Sequence, residues 1–241
     1  MSGFIDLHLH YVPGVDDGVR SVEEGQKLCA ELKAVGFDML VTTPHIRSGM
    51  FDNRRAGLSD AFQAFAEASR DCEGLPQLAL SAEHHCDSAL LDLLQTDGLL
   101  PYPGGRAILI EFGYESLPTA IERITFKLAL KGLRPIVAHP ERCAPLFRKT
   151  AAIEPLLDQD VGLQLDVMAL VGKYGRTPRA AAERMLEEGV YTIAASDAHR
   201  PDDAREVAKG IERLFKLVGD DEARLLLVDN PGRLLEGMPT Q

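Results

Sequence analysis

Short apolar runs alternate with amphipathic segments along most of the chain. Strand-like runs begin near Phe4, Phe37, Gln77, Ala107, Arg134, Gly162 and Val190. The first helix is predicted from the capping box Ser21-Val-Glu-Glu24 to just before Gly36. Further helical patterns cover about 54–70, 87–96, 118–131, 144–158, 178–189 and 201–218. Because each parallel crossover needs a connection of helix size, this alternation predicts an α/β fold with a parallel sheet.

The spacing of polar strand ends favours a closed barrel over an open sheet. Glu83, Glu111 and His139 follow one another at intervals of 28 residues, about the length of one strand–helix unit. An open sheet gathers ligands at one switch point, whereas a barrel brings all strand ends to one mouth. We therefore predict a single domain over residues 1–241, folded as a distorted (β/α)7 TIM-like barrel. The segment after Asp229 is expected to be a loosely attached end.

Composition and charge exclude several classes of protein. The formal net charge of −11 argues against a nucleic-acid partner or an anionic membrane surface, because both carry repelling phosphates. No secretory signal and no run of ~18 apolar residues is visible, so we expect a cytoplasmic protein without membrane insertion. The four cysteines show no CxxC pair, which is typical of a reduced protein.

Metal-capable side chains stand where the apolar runs stop. Five of the seven histidines do so: His8, His10, His45, His139 and His199. Carboxylates occupy similar stops or the turns just beyond: Asp17, Glu83, Glu111 and Asp197. Any one such residue is readily explained as a packed or solvated side chain, but six strand endings of this kind indicate a polynuclear metal centre. Neutral imidazole with carboxylates suits Zn, Mn or Fe.

Two pairs at the ends of the chain share one geometry. His8 and His10 lie two apart, so on a strand both point to the same face, and Asp197 and His199 repeat this spacing. The first and seventh strands are neighbours in a closed barrel, so the two pairs can face each other. In the turn after His10, either Asp16 or Asp17 can reach the same ions. An Asx turn is the alternative explanation for one of these two aspartates.

The acidic strand ends indicate bridging ligands. A carboxylate at the end of a buried strand is costly unless it is paired or binds metal, and Glu83 and Glu111 have no Arg or Lys at matching strand ends. A glutamate can bridge two cations through its two oxygens. We assign His84 and His85 to packing or to hydrogen bonding behind the ligands, and Asp166 to the support of a ligating imidazole.

Arginines near the same strand ends indicate an anionic substrate. Arg142 follows His139, Arg200 and Arg205 follow His199, and Arg47 lies in the loop after His45. A guanidinium can bind two phosphate oxygens at once. Cysteine-dependent phosphatase chemistry is disfavoured, because that mechanism needs an arginine six positions after the nucleophile. The residues found there are Val35, Leu78, Asp92 and Lys149.

The motifs together resemble one enzyme superfamily. HLHxxPGVDDG, TTPH with RxGMF, AEHH, LIEF, IVAHPERC and ASDAH are similar to the motifs of the PHP phosphoesterases. The opening and the HxRxGMF loop resemble its branch of bacterial manganese-dependent protein tyrosine phosphatases from capsule and exopolysaccharide gene clusters. The resemblance runs from residue 8 to about 205, in the family's order, and implies the PHP fold.

This resemblance also implies a ligand set. Three divalent ions are expected, most simply Mn²⁺, with Zn²⁺ or Fe as alternatives. The first would take His8, His10, Glu83 and Asp197; the second Glu83, Glu111 and His139; the third Asp17, His45 and His199. Arg142 matches the phosphate-binding arginine, and Arg205 the second one after a one-residue slip, with Arg200 or Arg47 as alternatives.

The function implied is hydrolysis of protein phosphotyrosine. A hydroxide shared by two cations would attack phosphorus, with Arg142, Arg205 and the ligand Asp197 as the catalytic residues. The substrate would be a phosphotyrosine protein, usually the tail of a bacterial tyrosine kinase that regulates polysaccharide synthesis. The alternatives are a phosphatase of a small metabolite such as histidinol phosphate, an amidohydrolase-type enzyme acting on C–N bonds, and a metal-bound interaction module without turnover.

Overall fold

A computed structural model describes residues 3–96 and 98–240 of the protein. Its strands are Phe4–Asp6 (β1), Phe37–Thr42 (β2), His45–Ile46 (β3), Gln77–Leu80 (β4), Glu83–His85 (β5), Ala107–Glu111 (β6), Arg134–Ala138 (β7), Gly162–Asp166 (β8) and Ile193–Ala195 (β9). Its α-helices are Val22–Val35 (α1), Arg55–Ala68 (α2), Ser88–Leu93 (α3), Ile121–Leu130 (α4), Glu154–Leu157 (α5), Arg176–Glu187 (α6), Asp203–Arg224 (α7) and Asn230–Leu235 (α8).

All paired strands are parallel, which confirms the predicted α/β fold with a parallel sheet. One sheet has the order β1-β2-β4 and the other the order β3-β5-β6-β7-β8-β9. β3 continues β2 after Thr43-Pro44, and β5 continues β4 after Ser81-Ala82. The proline has no N–H to donate, so the ladder is interrupted there and resumes two residues later. Each of the seven predicted strand positions therefore carries a strand.

Backbone hydrogen bonds join the chain segments that extend beyond the strand ends. The N–H of Asp197 donates to the carbonyl of His8 (2.7 Å), and that of His10 donates to the carbonyl of Ala198 (2.9 Å). On the other side, the N–H of Thr43 donates to the carbonyl of Leu9 (2.8 Å). The segment after β1 is thus held between the segments after β9 and β2, and this brings side chains from distant parts of the sequence to one edge.

The apolar core has two parts, because alternate strand residues face opposite sides. One part packs the strands against the surrounding helices and includes Ile108, Ile110 and Val137. The other lies between the strands, on the same face as Glu111, and includes Leu109 and Ile136. The donor side chains described below therefore rest on a packed apolar layer.

Two predictions about local structure are wrong. Residues 144–158 do not form one helix, because Pro145 and Pro155 interrupt it and leave two 3₁₀ turns followed by the short α5. The segment after Asp229 is not loosely attached: it forms α8, whose Leu234 is 2% exposed and packs against the inner apolar layer. No helix in the described ranges is both long and apolar enough to cross a bilayer.

Candidate functional site

The segment after β1 places two imidazoles side by side, as their spacing predicts. His8 and His10 are fully buried, and each Nε2 approaches the same oxygen, Asp197 Oδ1, at 3.1 and 3.3 Å. Glu83 Oε2 lies 3.1 Å from His8 Nε2 and 3.7 Å from His10 Nε2. Donor atoms of these four residues all lie within 4.8 Å of one another, a spacing that one metal ion can span.

A second group forms beside the first, toward the rim. Asp17 Oδ1 lies 3.4 Å from both His45 Nε2 and His199 Nε2, and His10 completes the group. The neighbouring Asp16 makes different contacts, since its Oδ2 lies 2.7 Å from His10 Nδ1 and its Oδ1 accepts from the N–H of Gly18. Asp17 therefore contacts the imidazoles of the second group, whereas Asp16 contacts the other nitrogen of His10.

A third group meets at Glu83. His139 Nε2 lies 3.1 Å from Glu83 Oε1, whereas His45 Nδ1 lies 3.1 Å from Glu83 Oε2. Donor atoms of His45, Glu83 and Glu111 also fall within 4.8 Å of one another. The compact group therefore contains His45 beside the predicted Glu83 and Glu111, whereas the predicted His139 contacts it through Glu83. The nine predicted ligands, called the donor cluster below, are His8, His10, Asp17, His45, Glu83, Glu111, His139, Asp197 and His199.

The electrostatics of the donor cluster keep its central carboxylates ionised. Burial raises the pKa of Glu83, but the charges of His8 and His45 hold it well below its usual range. Asp197 behaves in the same way, with His8 and His199 as the neighbouring charges. Within the described residues, His10 Nε2 and Asp197 Oδ1 are buried and lie 3.3 Å apart, but neither makes a hydrogen bond. Buried polar atoms of this kind are costly unless they are paired or bind a cation, so this donor set fits divalent metal ions.

Two members of the donor cluster adopt an unusual backbone conformation. His139 has a φ of 33° and Asp197 a φ of 51°, in the left-handed region that side chains other than glycine rarely adopt. Such strain is held by the surrounding structure and concentrates at functional sites. His139 contacts Glu83 and Asp197 contacts His8, so both strained positions lie within the donor cluster.

Arg142 lies against the donor cluster and is held by several side chains. Its Nη1 donates to Asp197 Oδ2 (2.5 Å) and lies 3.5 Å from Asp166 Oδ2. Its Nη2 donates to the hydroxyl of Tyr114, and its guanidinium carbon lies 4.3 Å from the ring centre of Tyr174. The charge of Asp197 raises the pKa of Arg142 against the opposing effect of burial. Arg142 is therefore a fixed cation at the edge of the cluster.

The imidazole-supporting role was predicted for Asp166, but the structure gives it to a neighbour. Gln164 Oε1 lies 2.7 Å from His8 Nδ1, whereas Asp166 faces Arg142. Both residues lie on β8, two apart and hence on one face, so the alternation of strand residues could have identified Gln164 as a second candidate. Tyr114 and Tyr174 were also missed, and nothing in their local sequence marks them as partners of Arg142.

The remaining arginines lie elsewhere. Arg205 is on the exposed side of α7 and lines a surface cavity with Lys27 and Glu31, so the structure does not bring it to the donor cluster. Arg200 donates to the carbonyls of Gly18 and His199. Arg47 pairs through its backbone with Phe51 across a tight hairpin. The role predicted for Arg205 stays a prediction.

The two histidines assigned to packing have different surroundings. His84 is buried, accepts from the N–H of Leu100 at Nε2 (3.2 Å) and contacts the carbonyl of Leu109 through Nδ1 (3.0 Å). Burial lowers the pKa of His84 to about 4, so it is neutral. His85 Nδ1 lies 3.1 Å from Glu111 Oε2, where it can support that carboxylate.

Comparison with known proteins gives consistent matches. The family described as capsular polysaccharide synthesis, CpsB/CapC, matches residues 4–236. Tyrosine-protein phosphatase CpsB of Streptococcus pneumoniae is 27% identical over 237 residues, which cover 96% of this chain and 98% of that protein. Tyrosine-protein phosphatase YwqE of Bacillus subtilis (strain 168) is 26% identical over 201 residues, covering 81% of this chain and 77% of that protein.

Solved structures show the same fold. One match, with a TM-score of 0.91, comes from the crystal structures of YwqE from Bacillus subtilis and CpsB from Streptococcus pneumoniae. These two proteins are described as unique metal-dependent tyrosine phosphatases. It is 24% identical, and the match covers 98% of this chain and 96% of that one. The phosphotriesterase homology protein of Escherichia coli, with phosphate in its active site, matches with a TM-score of 0.59 and 13% identity, covering 96% and 98%.

Proposed function

The chain belongs to the CpsB/CapC family of capsular polysaccharide synthesis, and we propose that it is a metal-dependent protein tyrosine phosphatase. The observation that carries this proposal is the donor cluster with a fixed arginine at its edge. Glu83 lies at the centre of that cluster, within 3.1 Å of imidazoles from three separate segments, those of His8, His45 and His139. The similarity to two proteins named as tyrosine phosphatases supports the choice of substrate.

The fold proposed for this function is a closed, distorted (β/α)7 barrel within a single domain. Seven strand positions and the backbone hydrogen bonds from Asp197 to His8 and from His10 to Ala198 support closure between the first and last strands. In such a barrel all donor side chains share one mouth.

The proposed cofactors are three divalent metal ions, most simply Mn²⁺, with Zn²⁺ or Fe as alternatives. The first ion would be held by His8, His10, Glu83 and Asp197. The second would be held by Glu83, Glu111 and His139, with His45 close by. The third would be held by Asp17, His45 and His199, with His10 close by. When bound, such ions lower the pKa of water and neutralise the charge on a phosphoryl group. The charge and geometry of the donor cluster fit this role.

Arg142 is the proposed phosphate-binding residue. A guanidinium donates to two phosphate oxygens at once, and the contacts with Asp197 and Tyr174 fix its orientation before substrate binds. Asp197 has a double role, as a ligand through Oδ1 and as the orienting partner of Arg142 through Oδ2. Arg205 remains a proposed second phosphate-binding arginine, but its side chain would have to move to reach the donor cluster. Phenolate is a moderately good leaving group, so the reaction depends little on a strong general acid.

The proposed substrate is a phosphotyrosine segment of another cytoplasmic protein, such as the tail of a bacterial tyrosine kinase of polysaccharide synthesis. The family match to capsular polysaccharide synthesis supports this partner. The main rival is a phosphatase of a small metabolite such as histidinol phosphate, because the donor cluster alone recognises only the phosphoryl group.

A substrate comparison tests the proposal. Metal-stripped protein with Mn²⁺ restored is given a phosphotyrosine peptide and histidinol phosphate in parallel. We expect metal-dependent turnover that strongly favours the peptide, and loss of turnover in His10→Ala. Arg142→Lys should raise KM by about tenfold, since one charged hydrogen bond is lost, whereas the exposed Arg148→Lys should behave as wild type. Preference for histidinol phosphate would favour the metabolite rival, and absence of turnover with metals bound would refute the phosphatase.

A further inference from the structure

We infer that Tyr114 binds the aromatic ring of the substrate and so makes the site prefer aryl over alkyl phosphates. This inference rests on the proposed function, which requires the site to accept phosphotyrosine. The donor cluster and Arg142 can hold the phosphoryl group of any monoester. Selectivity for an aryl ester needs a separate group that contacts the ring.

Tyr114 is placed beside the phosphate-binding residue. It follows β6 by three residues, and its hydroxyl accepts a hydrogen bond from Arg142 Nη2. Its ring centre lies 5.1 Å from the guanidinium carbon of Arg142 and 6.3 Å from the ring centre of His139. Its carbonyl accepts from the N–H of Ala144 (2.7 Å), which ties its loop to the segment that carries Arg142. The position of the ring relative to the phosphate site is therefore fixed.

The ring of Tyr114 is open to solvent although its hydroxyl is engaged. Tyr114 is 44% exposed, although it lies next to a buried polar cluster. Among the other exposed large apolar residues, Phe126, Leu130 and Leu217 lie on the outer helices α4 and α7, and Met50 lies in the hairpin after His45. Tyr114 thus offers an apolar surface at the edge of the donor cluster.

The chemistry of the substrate matches this surface. When a phosphoryl group contacts Arg142, the ring of an aryl phosphate is only one ester oxygen away from phosphorus. Aromatic pairs are favourable at centre-to-centre distances of about 4.5–7 Å. The ring centre of Tyr114 lies 5.1 Å from the guanidinium carbon of Arg142, so the ring of an aryl phosphate bound to that arginine can reach Tyr114. An alkyl phosphate, such as phosphoserine, has no ring to make this contact.

Two other aromatic residues near the cluster are committed elsewhere. Tyr174 covers Arg142 at 4.3 Å and is more deeply buried. Phe51 stacks on the imidazole of His45, with ring centres 5.2 Å apart and planes 11° from parallel. Tyr114 is therefore the aromatic residue best placed to receive the substrate ring.

A binding comparison separates the ring from the hydroxyl. Phenylphosphonate and methylphosphonate, which cannot be hydrolysed, are titrated calorimetrically into the Mn²⁺-loaded protein. We expect wild type to bind phenylphosphonate more tightly, and Tyr114→Leu to lose about 2–10-fold of this preference. Tyr114→Phe keeps the ring, so it should keep the preference while weakening both ligands equally. Equal affinities in wild type, an equal loss for both ligands in Tyr114→Leu, or a lost preference in Tyr114→Phe would overturn the inference.

Turnover of matched phosphotyrosine and phosphoserine peptides distinguishes this inference from the proposed function. If wild type shows the ring-dependent binding preference but hydrolyses neither peptide, the inference stands and the phosphatase proposal fails. If wild type hydrolyses phosphotyrosine and the ratio of kcat/KM between the two peptides is unchanged in Tyr114→Leu, the proposed function stands and the inference fails.

Discussion

At the scale of single residues, Asp197 connects the two halves of the proposed chemistry. Its Oδ1 lies 3.1 Å from His8 Nε2, on the donor side, and its Oδ2 accepts from Arg142 Nη1 at 2.5 Å. The strained backbone of Asp197, with a φ of 51°, holds both oxygens in these directions. We therefore expect substitution of Asp197 to change metal binding and phosphate binding together, so that it cannot separate the two.

The variant Asp166→Asn should separate phosphate binding from metal binding. Oδ2 of Asp166 faces Arg142, and its Oδ1 accepts from the N–H of Met168 (2.8 Å). Burial raises the pKa of Asp166 to about 7, so above that pH the variant removes a negative charge 3.5 Å from Nη1 of Arg142. We expect KM for a phosphotyrosine peptide to rise about threefold to tenfold, with unchanged metal content. Asp158→Asn, on the exposed surface, is the matched control. A fall in bound metal with unchanged KM would instead place Asp166 in support of the ligands.

The metal-capable residues of the donor cluster could be predicted from the sequence, but the residues that contact Arg142 could not. His8, Glu83 and Asp197 stand at the ends of apolar runs, and a strand end has a defined direction, so their convergence follows from the fold. Tyr114 contacts Arg142 across 28 residues of chain, through loops whose course no local pattern specifies. The same limit applies to Arg205, because its distance from the cluster depends on how α7 is rotated.

At the scale of elements, the strand pattern could be predicted well and the helix ends less so. The ladder between β2 and β4 stops near Pro44 and resumes as β3 with β5, where the N–H of Glu83 donates to the carbonyl of Pro44 (3.1 Å). This interruption places Glu83 and His45 opposite each other in register. A proline in the sequence indicates the break, but the new register depends on the partner strand.

The corrected position of α8 leads to a stability prediction. Leu234 is 2% exposed and packs with the inner apolar layer that lies beneath the donor cluster. Leu234→Ala should lower the free energy of unfolding by about 2–4 kcal/mol, because it leaves a cavity in a packed core. Met238→Ala, at a position 48% exposed, should change it by less than about 0.5 kcal/mol. Urea unfolding of the two variants checks this, and equal effects would contradict a packed α8.

At the scale of the whole molecule, the net charge of −11 and the carboxylates of the donor cluster both favour the binding of cations. Four carboxylates of the cluster, Asp17, Glu83, Glu111 and Asp197, meet in a small volume at one edge of the sheet. Bound divalent cations offset this charge and stabilise the folded state, because the unfolded chain has no such arrangement.

Metal binding should therefore appear as thermal stabilisation. At a free Mn²⁺ concentration about 100-fold above Kd, one site adds about 2.7 kcal/mol, which corresponds to a rise in Tm of roughly 5–10 °C for a chain of this size. His10→Ala should lose most of this rise, since His10 belongs to two of the donor groups. Differential scanning calorimetry with and without chelator measures it, and an unchanged Tm in wild type would argue against a metal centre.

The most direct test of the central claim is a titration of Mn²⁺ into metal-free protein, followed by the rate of phosphotyrosine peptide hydrolysis. We expect no turnover without metal and a rise that levels off near three equivalents, with His10→Ala inactive throughout. Full activity in the metal-free protein, or a saturated metal centre that hydrolyses no phosphotyrosine peptide, would contradict the assignment of a metal-dependent tyrosine phosphatase.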